Sequence, residues 1–371
     1  MHVSFFRAAL PPLLACLMST LATSASAAGP CGRIVYTLPQ HGGDGLLRAS
    51  SLSMELPASG VARTLTAPLD GVIDDSATWS LDGTLVAFEH RATGTRLPPH
   101  FDILTFDTRT REIRKVTMGA GDQVSPAWGP GNRIAYVSQY RLRSCLSVVE
   151  ANGGQHDLFC APDPARFVNK PVWSADGRSL YVQAGYTIGG VDGFWRSLAY
   201  RIDATTGTPF VLDKRVFGGA QHLEFSPDGR SGIYSNAYPY SAEMIMVDFA
   251  TKAEEAVGYG YAPHWSKDGL RIAYTGEVYE LTNPVRYYEP LYVMDADGSN
   301  ARRVTGSRVN NEAYTAADWS KDGVHLLVNR RIYLDPSLLV PQYSLRIVNA
   351  DTGTQTPLLA GFAEAGAWFE D

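Results

Sequence analysis

Cysteine is scarce. Four among 371 residues are too few to staple a small scaffold, so a hydrophobic core must hold the fold. Basic charge is not in excess. Lys and Arg total 32 against 38 Asp and Glu, a formal net charge of -6, which removes any global field favouring nucleic acid or anionic lipid. Beyond the N-terminus no apolar run is long enough to cross a bilayer, so no membrane span is expected. Long amphipathic helical stretches are missing as well. Catalytic signatures are equally thin. No Gly-x-Ser-x-Gly elbow, no Gly-x-x-x-x-Gly-Lys phosphate loop and no His-Glu-x-x-His pair occurs. The Gly-rich Gly189-Gly190-Val191-Asp192-Gly193 opens no helix and reads as a loop. Asp295 to Asn300 resembles a calcium loop but has Gly306 where the twelfth-position Glu belongs, and reads as a hairpin turn. Neither a cofactor nor a metal is expected.

What the chain does have is 45% hydrophobic residues and 19% charged ones, enough to bury a sizeable core. Residues 1-27 read as a signal peptide: Arg7, an apolar stretch from Ala8 to Leu21, then Ala25-Ser26-Ala27 as a small-x-small cleavage site. Periplasmic or secreted localisation follows. Leu13-Leu14-Ala15-Cys16 also fits a lipobox, which would make Cys16 a lipid anchor, but apolar residues continue past it. Cys145 and Cys160 lie symmetrically about Asn152-Gly153, a type I′ hairpin signal. They are expected to face each other across two strands and, in an oxidising compartment, to form a disulfide. Two unpaired buried thiols are the alternative. Cys31 is left over as a free thiol.

The dominant signal is a repeat. Trp79-Ser80-Leu81-Asp82-Gly83, Trp128-Gly129-Pro130-Gly131-Asn132, Trp173-Ser174-Ala175-Asp176-Gly177, Phe225-Ser226-Pro227-Asp228-Gly229, Trp265-Ser266-Lys267-Asp268-Gly269 and Trp319-Ser320-Lys321-Asp322-Gly323 share one pattern. Each is an aromatic, a tight turn and then an apolar strand, at spacings of 40 to 54 residues. Such periods, with several strands in each, mean an all-β propeller of four-stranded blades. Cys31 to Tyr36 looks like a strand that has lost its preceding turn, and Glu364 to Trp368 like one that has lost its successor. Paired, they close the ring as one blade from both termini. That makes seven blades, with six as the alternative, in a single domain over 28-371.

The Trp-Ser-x-Asp-Gly units, with Val293-Met294-Asp295-Ala296-Asp297-Gly298, resemble the repeats of TolB-like β-propellers. The resemblance covers nearly the whole mature chain. It implies the propeller fold and leaves the task open, since one fold hosts many. The chain departs from TolB in lacking the small α/β domain that precedes that propeller and in its count of seven.

Residues just before the repeat aromatics fall at one depth in successive blades: Thr78, Ala127, Val172, Glu224, His264, Asp318 and Ala367. Period-two alternation puts the residue two earlier on the same face, so Lys170 and His222 join the set. If that face lines the central channel, Glu224, His264, Asp318, His222 and Lys170 form a ligand-binding cluster, or else a hydrated lining. The loops carry aromatics suited to a partner: Phe194-Trp195, Tyr238-Pro239-Tyr240, Tyr259-Gly260-Tyr261 and Tyr287-Tyr288. The expectation is a monomeric, non-enzymatic binding or scaffold protein of the cell envelope that takes a protein or glycan partner. The alternative is a channel-centred hydrolase or lyase, with or without a metal, using Glu224, His264 and Asp318.

Overall fold

The computed structural model describes residues 32–41, 47–57, 60–92, 100–151, 153–188, 194–213, 223–238, 241–276, 289–305, 312–332, 342–360 and 363–370. The signal segment, Cys16, Cys31, Asn152, His222, the 189–193 loop and the loop residues Pro239, Tyr240, Tyr287 and Tyr288 lie outside them. All regular structure among the described residues is β-strand, and no helix there is long and apolar enough to cross a membrane.

The strands form antiparallel groups of four, each a run of consecutive hairpins. The group Asp122–Gly129, Arg133–Tyr140, Arg143–Val149 and Gln155–Cys160 is typical. In one group the first strand is interrupted, so that Arg166–Phe167 and Val172–Trp173 both pair with Ser179–Ile188. An eight-stranded sheet consists of two such groups joined by one parallel bridge, Ser50 to Ile73. In it the first strand of the fold, Arg33–His41, pairs with the last, Glu364–Phe369, placing Ile34 opposite Trp368. The expected pairing of the two termini is therefore present.

The turn residues explain where each hairpin starts. The Ser80 hydroxyl donates to Asp82 Oδ1 at 2.7 Å, and the amides of Leu85 and Thr84 donate to Ser80 Oγ and Asp82 Oδ1 at 2.9 and 3.0 Å. Gly83 adopts φ +64°, a left-handed conformation that a Cβ would strain. The same hydroxyl-to-carboxylate bond recurs at Ser174–Asp176, Ser226–Asp228, Ser266–Asp268 and Ser320–Asp322.

The aromatic before each turn packs between neighbouring groups. Trp319 is fully buried, and Trp79, Trp128, Trp265 and Trp368 nearly so. The indole N–H groups of Trp79, Trp173 and Trp319 donate to the carbonyls of Ala367, Ala127 and His264 at 3.0–3.1 Å. Each acceptor is the residue just before the aromatic of another group, so the ring bolts one sheet to the next. Among the described residues, Trp128 and Trp265 have no such acceptor. The core is correspondingly divided into inter-sheet layers. Ile34, Tyr36 and Trp368 pack on Leu327, Leu345 and Ile347, joining the terminal strands to the Glu312–Ala360 sheet. Burial of one such Leu or Ile side chain stabilises by about 1.5–3 kcal/mol.

Candidate functional site

The first strand of each group carries the candidate residues, and the pairing registers superimpose. Thr78 faces Ala87, Ala127 faces Ala135, Glu224 faces Ile233, His264 faces Ala273, Asp318 faces Leu327 and Ala367 faces Val35. In every case the next residue, the aromatic, faces the next position along. Equal depth, expected from spacing alone, is thus the observed arrangement.

A second regularity was not legible in the sequence. Ser76, Ser125 and Ala262 have positive φ values of 53°, 59° and 49°, and each stands three residues before its aromatic. The ladder shifts register there, between Asp75 and Thr78, Val124 and Ala127, and Tyr261 and His264. These are β-bulges, devices that re-aim backbone and side chains near functional sites. Lys170 occupies the same position, in the interruption of its strand. At the bulge of one group, the Ser125 amide donates to Glu89 Oε1 of the preceding one at 2.8 Å. Asp75 Oδ1 likewise accepts from the Thr37 hydroxyl of the adjoining group at 2.9 Å and from the Ser76 amide at 2.7 Å.

Charged groups from several sheets meet on this face. His264 Nδ1 lies 3.1 Å from Glu224 Oε1, each side chain about one-third exposed. Burial opposes protonation of His264, but the hydrogen bond and charge of Glu224, with Asp318 behind it, outweigh that and hold the imidazole pKa above its ordinary value. Lys170 is open to water but has protein packed densely around it. That enclosure pulls its ammonium pKa down, against the pull of Asp318, Glu224 and Glu89. Glu89 is pushed up by burial, which the Ser125 amide and the Ser76 side chain partly offset.

Asp318 differs from its neighbours. Its Oδ1 accepts from the Trp319 amide at 2.8 Å, and its Oδ2 from the Trp368 amide at 2.7 Å and Lys267 Nζ at 3.2 Å. Lys267 Nζ also reaches the Trp368 carbonyl at 2.6 Å. The carboxylate is committed to tying down the C-terminal strand. The structure therefore brings Glu224 and His264 together and gives Asp318 a different set of partners, while Lys170 feels the charges of Glu224 and Asp318.

The remaining sequence candidates divide similarly. Cys145 and Cys160 are directly opposite and disulfide-bonded. The calcium-like segment satisfies itself: the Asp295 amide donates to the Ser299 carbonyl and Asn300 Nδ2 to Asp295 Oδ2, at 2.9 and 2.7 Å, as a hairpin turn does. Tyr259 is two-thirds exposed and Tyr261 half-buried. Among the described residues, the three-ligand metal-type group is Cys145, Asp157 and Cys160, whose sulfurs are bonded to each other. Glu224, His264 and Asp318 form no such group.

No protein-family model matches the chain, and no curated protein is similar enough to count as a relative. Solved structures do resemble it. The β-propeller domain of the Trilobed protease from Pyrococcus furiosus superimposes with a TM-score of 0.55 at 14% identity, covering 78% of this chain and 84% of that one. The fold is a β-propeller. Similarity also extends to an oligogalacturonate lyase in complex with manganese, at TM-score 0.60, 16% identity and coverage of 89% and 86%. The oligogalacturonate lyase from Vibrio parahaemolyticus gives 0.61, 11%, 89% and 87%. At such identities the likeness concerns the backbone alone.

Proposed function

We propose that the chain is an exported seven-bladed β-propeller that binds a protein or glycan partner of the cell envelope, with a polar channel site as part of the binding surface. The ring is closed as one blade by Arg33–His41 and Glu364–Phe369, with Asp318 and Lys267 as the latch. The TolB-like reading rests on the repeat motif. What supports the binding role is the uneven distribution of charge among the first strands. Glu224 and His264 come from consecutive blades, while Thr78, Ala127, Val172 and Ala367 stand at the equivalent position in four others, and Lys170 lies two residues before Val172. A wall built only for packing has no need of that asymmetry. Tyr259, exposed near the His264 blade, supplies an apolar face with a polar tip for the same ligand. Calorimetric titration against defined envelope oligosaccharides, beside cross-linking in envelope extract, tests this. Binding that weakens at least tenfold in both His264→Ala and Lys170→Ala supports it. A specific ligand unaffected by either variant, or no specific ligand at all, overturns it.

A second reading has its own support. A histidine hydrogen-bonded to a carboxylate is the arrangement of an oriented general base, and the backbone resembles that of two oligogalacturonate lyases. In this reading His264 takes a proton from a polar substrate and Glu224 fixes the tautomer. The manganese of one neighbour finds no matching set of three donors among the described channel residues, so no step is assigned to a metal. Elemental analysis of protein purified without chelator, together with assays for unsaturated uronate products, separates the readings. Metal-free protein and unchanged function in His264→Ala would remove the catalytic one.

A further inference from the structure

The blade Asp122–Cys160 carries a second chemical feature, far in function from the channel. Cys145 and Cys160 are cross-strand partners, and Arg143 lies over both sulfurs. Its Nε is 3.1 Å from Cys145 Sγ and 3.2 Å from Cys160 Sγ, and its Nη2 is 3.1 Å from Cys160 Sγ. The same Nη2 reaches Asp157 Oδ2 at 3.3 Å, and Asp157 Oδ1 accepts from the Ser147 hydroxyl at 2.7 Å. The two sulfurs differ in access. Cys145 is 3% exposed on an interior strand, whereas Cys160 is half-buried at the end of Gln155–Cys160, the outermost strand of its sheet.

We propose that this disulfide is a thiol-exchange site, opened by an external dithiol at Cys160 and assisted by Arg143. A disulfide sulfur is a weak acceptor, but a thiolate is a strong one. The guanidinium therefore gains more from the reduced state than from the oxidised one. In the first step the attacking thiolate forms a bond to Cys160 Sγ, the Cys145–Cys160 bond breaks, and its electron pair leaves on Cys145 Sγ beside Arg143 Nε. In the second step the other thiol of the dithiol attacks its own sulfur and releases Cys160 as a thiolate. The dithiol is oxidised by two electrons and the protein pair reduced by two. Asp157 works in the opposite direction, since its charge disfavours a nearby thiolate.

The intact protein is equilibrated with dithiothreitol redox buffers, quenched by alkylation, and the Cys145 and Cys160 peptides are counted by mass spectrometry. Arg143→Gln should make the bond about tenfold harder to reduce, ~30 mV in this two-electron couple. Asp157→Asn should move it the other way. Separately, Cys145→Ser should give a mixed disulfide with oxidised glutathione at Cys160, and Cys160→Ser should leave Cys145 unmodified in the folded protein. Opposite shifts for Arg143→Gln and Asp157→Asn, with trapping at Cys160, support the proposal. Unchanged equilibria in both variants, or trapping at Cys145, overturn it. If Arg143→Gln fails to fold, the Asp157→Asn shift and the trapping site decide alone.

Discussion

The hairpin turns and the first strands of this propeller are built on opposite plans. At the turns, one solution is repeated with nearly the same geometry: Ser hydroxyl to Asp carboxylate, Asp to a backbone amide, Gly at positive φ. At the first strands the backbone register repeats but the side chains do not. Thr78, Ala127, Val172 and Ala367 stand at the position that Glu224, His264 and Asp318 occupy in three consecutive groups. Repetition marks what every blade needs in order to fold. Its failure at positions of equal depth marks where the molecule has something particular to do. Asp318 is the instructive exception, because it breaks the repeat for a structural reason: its carboxylate accepts the Trp368 amide of the terminal strand.

That contrast can be broken by mutation. Asp318→Ala should have the largest effect on stability. It strips the Trp319 and Trp368 amides and the Lys267 ammonium of a shared, mostly buried acceptor, at a cost of about 2–4 kcal/mol. The change is measured as a fall in the urea midpoint. An effect below that of a turn substitution would show that the latch is dispensable. Asp82→Ala in a hairpin turn should cost less, about 1 kcal/mol, since the groups it releases are near water. The Ser80 hydroxyl, followed by the Thr84 amide and hydroxyl, holds the Asp82 carboxyl below the usual range. Its stabilisation is therefore present above the unfolded carboxylate value of about 3.9 and disappears as pH falls through the lower folded value. Stability curves of wild type and Asp82→Ala should converge at acid pH. Curves that stay parallel would contradict this assignment.

Most of the fold was legible because the turn imposes its chemistry locally. Ser, Asp and Gly at fixed offsets require a tight turn wherever they occur, and the apolar run after them must then be a strand. Trp368, in phase with the repeat, announced the terminal pairing through Ile34. The symmetric placement of Cys145 and Cys160 about a turn announced their register. The channel was harder to read. Equal depth followed from spacing, but the partner of each charge did not. Nothing local distinguishes Glu224, which meets His264, from Asp318, which accepts backbone amides from two strands. The bulges were invisible for the same reason. Two of the three positions are serine and one is alanine, neither a residue type that favours a left-handed backbone, and at each the ladder shifts register. Arg143 shares a face with Cys145, two residues on in the same strand, but its reach to Cys160 on the neighbouring strand depends on a side-chain conformation that no local pattern sets.

The finest test of the contrast lies in the channel pair. Glu224→Gln should barely change stability, by less than about 1 kcal/mol, because both partners are about one-third exposed and solvent screens them. Its effect should instead be on His264. The carboxylate holds the imidazole pKa above its ordinary value, against burial, which acts to lower it. With Gln in place the raising influence is mostly lost and burial dominates, so the imidazole should titrate below the ordinary value. The signs then separate. In the wild type the raised pKa adds stability that is complete below about pH 6.5 and is lost as pH rises through the folded value; in the variant that dependence reverses. Nuclear magnetic resonance titration of the His264 ring follows both directly. An unchanged His264 pKa in Glu224→Gln would mean that the pair is no more than a surface contact, and the first strands would then be as passive as the hairpin turns.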